Sequence, residues 1–256
     1  MNLYKLIGIL MLLVAALSGC ASNPQGNSGE TSPIIVEENT ADPYEGFNRA
    51  MFSFNMKLDR WALRPAAVGY TKITPDPVEK GVGNFFSNLS EIRNVVNDVL
   101  QWKWKQAGND TGRFLINSTV GIAGIFDVAK KAGLPESEGE DFGQTLGAWG
   151  VPKGPYLVVP LLGPNTITST AGLPADWVLN PASYHKSKTV RYSLTAANII
   201  HMRSRLLDLE ELASGDLYVF YRDAYLQRRD YLVNDGKVDD DFGGGFEEDS
   251  DEGFDF

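Results

Sequence analysis

From Asp42 to Val233, apolar residues recur at steps of three and four. In "DPYEGFNRAMFSFNMKLDRWALRP" the residues Tyr44, Phe47, Met51, Phe54, Leu58 and Trp61 keep that spacing, which puts one apolar side chain per turn on a common helix face. Asp42 is the expected N-cap, Pro43 the first helical residue, and Pro65 the stop. A second stretch starts with the same chemistry, Asp76, Pro77 and Glu79, and continues through Val82, Phe86, Leu89, Val96 and Leu100. A third runs from about Asp110 to Gly133, ahead of Pro135. Thr189 to Leu212 and Ser214 to Val233 complete the helical pattern. Strand character is confined to Tyr156–Leu162, an apolar run between two Gly-Pro pairs in "GPYLVVPLLGP". This run lacks the alternation of a half-buried strand and is too short to cross a bilayer, so periodicity leaves both a core strand and a lipid-contacting hairpin open. The pattern predicts an all-α domain with one apolar hairpin bracketed by Gly and Pro.

The two ends differ from this body. Lys5 precedes an apolar run from Leu6 to Leu17 that suits the hydrophobic region of a signal peptide. "LSGC" then presents Cys20, the only cysteine, in the setting of a bacterial lipobox. The reading is a lipoprotein signal at 1–19, an acylated Cys20 carrying palmitate-type chains, and a Gly/Ser/Asn-rich tether through residue 41. Ala21 rather than Asp follows the cysteine, which suits an outer-membrane destination facing the periplasm. The helical domain spans 42–233, and an acidic tail occupies 234–256. That tail accounts for -9 of the formal charge of -10, since it holds ten acids and one base. The domain itself is therefore near neutral, and an acidic sequence (pI ≈ 4.7) disfavours nucleic acid as a partner.

Candidate chemistry is sparse. One cysteine excludes an internal disulfide, and two histidines, His185 and His201, make a metal site unpromising. Asp141–Gly143 matches the kinase "DFG" triplet but lacks a Gly-rich phosphate loop or an HRD-like loop. A phospholipase would need a nucleophile with an oriented base, and no G-x-S-x-G elbow occurs in the domain. No catalytic residue, metal or cofactor is expected. The helices are instead rich in aromatic residues interleaved with Arg, as in "SGDLYVFYRDAYLQRRDYLV", a composition that suits a membrane interface as well as a soluble core.

"DPYEGFNRAMFSFN", "GVGNFFSNL", "GRFLINSTVGIAGIFDVA", "DFGQTLGAWGVPKGPYLVVPLLGP" and "RDAYLQRRDYL" together resemble the MlaA (VacJ) lipoprotein family in collinear order. The resemblance implies a ring of amphipathic helices in the inner leaflet of the outer membrane around an amphipathic channel. It implies association with a trimeric porin, removal of misplaced phospholipids from the outer leaflet, and delivery to a periplasmic lipid carrier. A porin-bound scaffold that moves no lipid is the alternative, with a phospholipase behind it. In the family, the segment equivalent to the apolar hairpin is a mobile loop over the channel, so Gly150, Gly154, Pro155, Val158, Pro160 and Gly163 are the expected gate. Helix geometry nominates Asn48, Arg49, Asn55 and Arg60 as channel lining.

Overall fold

The computed structural model describes residues 42–208, 210 and 215–236. The expected signal peptide, Cys20, the tether and the tail beyond Gly236 lie outside those residues. Helix α1 (Glu45–Leu58) passes through a π-helical turn (Asp59–Leu63) into α2 (Arg64–Ile73). Pro65 therefore does not end the helix as expected. It sits in the first turn of α2, directly after the wider π turn. In a regular helix its ring would collide with the carbonyl four residues back, and the extra residue of a π turn relieves that crowding. Asp42 does not cap α1 either: Tyr44 holds the cap position without a side-chain bond. Asp42 is buried instead, accepting from Asn48 Nδ2 at 2.7 Å and from the Tyr218 hydroxyl.

Helix α3 (Asp76–Leu100) packs along α4 (Trp104–Thr119), the most extensive helix pair of the fold. The single helix expected up to Gly133 is divided. Ile122, Ala123 and Gly124 adopt φ of 55°, 56° and 89°, and only then does the short α5 (Val128–Lys131) form. Gly124 is required here, because a Cβ would lie 2.4 Å from Asn88 Cβ. Two helices lacked a sequence signal: α6 (Phe142–Ala148) and α7 (Ile167–Leu179), which contains Pro174. Between them the hairpin pairs β1 (Tyr156–Val159) with β2 (Gly163–Thr166), antiparallel, from Tyr156↔Thr166 to Val159↔Gly163. Helices α8 (Lys188–Ser204) and α9 (Leu217–Val233) start at Ser187 and Asp216, each a side-chain cap.

Contacts between these elements close a circuit. α1 packs on β1, β2 on α9, α9 on α6, α6 on α3, α3 on α8, and α8 on α2, which rejoins α1 through the π turn. The domain is thus a ring of helices sealed by the hairpin, which agrees with the all-α expectation and with the ring that the family resemblance implies.

The ring's polarity is the reverse of a water-soluble bundle's. Among the described residues only Ala67, Ala107, Ala129, Tyr156, Val158 and Tyr218 are buried apolar residues, and buried polar residues far outnumber them. In α1 and the π turn after it the apolar stripe is exposed, with Phe54 at 48% and Trp61 at 81%, while Asn48 is 0% exposed. In α3 the buried positions include Asn88, Glu91, Asn94 and Asp98, and in α4 Asp110, Arg113 and Asn117. All five tryptophans are exposed. A helix whose apolar stripe faces away from its neighbours has no gain in water to orient it so. No described helix is long and apolar enough to cross a membrane.

Candidate functional site

Two asparagines of α1 hold the hairpin. Asn48 Nδ2 donates to the Tyr156 carbonyl at 3.0 Å, and its Oδ1 accepts from Val158 N–H at 2.8 Å. Asn55, seven residues on, repeats the pattern three residues further along the hairpin, donating to the Val159 carbonyl at 3.0 Å and accepting from Leu161 N–H at 2.8 Å. The spacings match because seven helical residues and three extended ones both cover roughly 10 Å. These side chains thus act as a third strand's worth of hydrogen bonds along the hairpin. The two residues nominated from helix geometry as channel lining thus bond the hairpin backbone in this structure.

Arg49 pairs with Glu45 at 2.6 Å and Asp216 at 2.8 Å, and its guanidinium lies 4.4 Å from the Tyr218 ring centre. Arg60 is exposed in the π turn.

The hairpin has an anchored base and a free tip. Tyr156 and Val158 are both 0% exposed, clustered with Tyr218 and flanked by Phe52 and Tyr225. Leu161 and Leu162, at the turn, are 68% and 49% exposed. Of the expected gate residues, Gly150, Gly154 and Gly163 have φ of 86°, 65° and 83°, the left-handed conformation that glycine adopts without strain. Val158 faces the core, and Pro155 and Pro160 stand just outside the ends of β1.

The polar interior is organised by charge. Arg113, 3% exposed, donates to Glu91 at 3.1 Å, to Asp127 at 3.1 Å and to the Leu134 carbonyl at 3.0 Å. Asn117 bridges Asp127 and Ala129 N–H, tying α5 back to α4. Burial pushes the Glu91 carboxyl up, and the nearby Asp110 adds to the effect. Asp98, buried with both carboxyl oxygens unpartnered, is pushed up to about 8 by desolvation and by Asp110. Where α9 packs on α6, Arg229 grips Asp141 through two bonds of 2.5 and 2.9 Å, which keeps that carboxyl below the usual range despite its burial. Asp141 also caps α6 by accepting from Gln144 N–H at 2.8 Å. The "DFG" match is therefore a helix start and an ion pair.

Helices α3, α7, α8 and α9 line an open cavity of about 330 Å³. Its wall is amphipathic. Arg93, Asp176, Arg229 and Asn198 provide the polar part, and Phe86, Leu89, Leu173, Trp177 and Ile199 the apolar part. Sequence reasoning missed these residues because they come from helices far apart in the chain, two of them with no clear amphipathic stripe. His201 lies outside this cavity. It is buried, 3.4 Å from the Tyr70 hydroxyl, and desolvation lowers its pKa. His185 is exposed and accepts from Ser187 N–H at 3.1 Å.

The model of the MlaA lipoprotein family matches residues 40–232. The lipoprotein MlaA of the intermembrane phospholipid transport system of Escherichia coli K12 is 35% identical over 244 residues, covering 91% of this chain and 90% of its own. Its Haemophilus influenzae counterpart is 32% identical over 249 residues, covering 91% and 92%. An uncharacterized protein of Rickettsia felis is 41% identical over 196 residues, 75% of this chain and 78% of its own. A solved structure described under "Structural basis for maintenance of bacterial outer membrane lipid asymmetry" superposes with a TM-score of 0.68 at 37% identity, covering 75% of this chain and 99% of that one. Ring, hairpin and inverted polarity are thus those of a chain that belongs to the MlaA lipoprotein family.

Proposed function

We propose that this protein removes mislocalised phospholipids from the outer leaflet of the outer membrane. The lipids pass through the cavity of the helix ring and on to a periplasmic lipid carrier, which maintains lipid asymmetry. The observation that carries this reading is the reversed polarity: apolar stripes and all five tryptophans are exposed, Trp177 among them at the cavity wall, while charges and amides are buried. In the inner leaflet that arrangement buries the apolar stripes in acyl chains and leaves a polar passage for headgroups. Helices satisfy their own backbone, so a ring of them tolerates lipid contact. Acylation at Cys20 anchors the chain on the periplasmic side, and the outward aromatic surface can also seat a trimeric porin. Within the hairpin, the exposed tip at Leu161 and Leu162 is the part placed to meet lipid, with Gly150, Gly154 and Gly163 as its bends. The names of the E. coli and H. influenzae relatives support the same activity.

Mass spectrometry of lipids extracted from the purified full-length protein tests this reading. Phospholipid near one per chain is expected, together with accumulation of phospholipid in the outer leaflet of cells lacking the gene. Co-purification with porin but without phospholipid would make the protein a scaffold.

A further inference from the structure

The buried arginines Arg113 and Arg229 are committed. Arg113 is bound by Glu91 and Asp127, and Arg229 by Asp141. Arg93 differs. It stands on α3 in the cavity wall, makes no ion pair among the described residues, and has a buried Nε without a hydrogen-bond partner. Asp176, on the same wall, takes Phe142 N–H at 3.0 Å and feels the Arg93 charge without forming an ion pair with it. A guanidinium is always charged, has five fixed donors, and loses most when a buried donor is left unmet.

We infer that Arg93 binds the phosphodiester of the phospholipid in transit and so sets the cavity's selectivity for phosphate-bearing lipids. This inference rests on the lipid-transport reading above. The planar fork of Arg93 fits two oxygens of one phosphate. The Leu89, Leu173 and Trp177 surfaces of the same cavity give apolar contact that a free inorganic anion cannot use. Two acids, Asp141 and Asp176, balance the two arginines in the wall. The site therefore holds an anion without trapping it, which suits passage.

The test compares full-length wild type, Arg93→Gln and Arg93→Lys in phosphate-free detergent buffer. Each is titrated with fluorescent phosphatidylglycerol and with diacylglycerol bearing the same acyl chains, with and without inorganic phosphate. Wild type should prefer the phospholipid by roughly tenfold, the scale of one charge-assisted bidentate contact. Arg93→Gln should bind both lipids alike, and Arg93→Lys should keep part of the preference, having charge without the fork. Inorganic phosphate should compete only weakly. Equal binding of the two lipids by wild type overturns the inference even if Arg93→Gln fails to fold. So does a preference that survives in Arg93→Gln, and both results leave the transport reading intact. Tight inorganic phosphate binding that depends on Arg93 would make the ligand a free anion. Failure of wild type to bind either lipid would sink the transport reading itself.

Discussion

At the scale of single residues, Asn48 matters more than its type suggests. Replacing it with Ala would strand the Tyr156 carbonyl, the Val158 N–H and one oxygen of Asp42, all buried. With about 1–3 kcal/mol for each buried group left unmet, and some relaxation, the expected loss is roughly 2–4 kcal/mol. Denaturant melts in detergent measure it. Asn55→Ala should cost less, because Leu161 sits at an exposed tip where water can substitute. Val158→Asp and Leu161→Asp separate the two halves of the hairpin in the same way. The first buries an unpaired carboxylate beside Tyr156 and Tyr218 and should collapse protein abundance. The second should accumulate normally. Asp98 adds a pH dependence: folded it holds its proton up to about 8, whereas its ordinary value is 3.8. Between those values the folded state binds more protons than the unfolded one, so stability falls as pH rises through that window. Asp98→Asn should flatten the drop in melting temperature between pH 5 and pH 8, and an unchanged slope would assign it to another group.

At the scale of elements, the ring depends on close crossings that only glycine allows. A Cβ on Gly172 would lie 2.6 Å from the Gly143 nitrogen, and one on Gly143 2.8 Å from Ser169 Cα. Gly172→Ala should therefore push α6 from α7, disturb the Asp141–Arg229 pair beside the crossing, and cost about 1–3 kcal/mol. This crossing was not legible in the sequence: "FGQTLGA" and "ITSTAGLPADWVL" carry Gly and Pro where helix signals are sought. The long helices were legible because Tyr44 to Trp61 keep a clean period, and so was the hairpin, bracketed by Gly-Pro. Where the division falls after Thr119 was hidden, because Ile122 and Ala123 adopt positive φ that their residue types disfavour. The direction of each amphipathic face was hidden too. A hydrophobic period defines an axis through the helix, but the solvent decides which end of that axis points outward. Asn48 and Asn55 were picked from one polar face of α1, and only the fold shows that they bond the hairpin backbone.

At the scale of the molecule, that choice of solvent is the quantity to measure. The five tryptophans come from α1–α2, the α3–α4 corner, the end of α6 and α7, and every one is exposed. If the outer surface is built for lipid, affinity for a bilayer must reside in the helices as well as in the acyl anchor. A chain beginning near Asp42, without Cys20 and its signal, isolates that contribution. Added to phospholipid vesicles, it should sediment with them, and its tryptophan emission should shift to the blue and be quenched by lipids brominated along the acyl chain. Truncation after Gly236 should leave this behaviour unchanged, because the removed segment carries mostly acids and glycines, with one lysine, one serine and scattered apolar residues. Trp61→Ala, at the most exposed of the five, should weaken vesicle binding without lowering the melting temperature, since its ring contributes little to the fold. A chain that stays in the supernatant with unshifted emission would leave the outward stripes without lipid. They would then have to be covered by protein, and a tight complex with a porin trimer would become the only environment in which this inverted domain is stable.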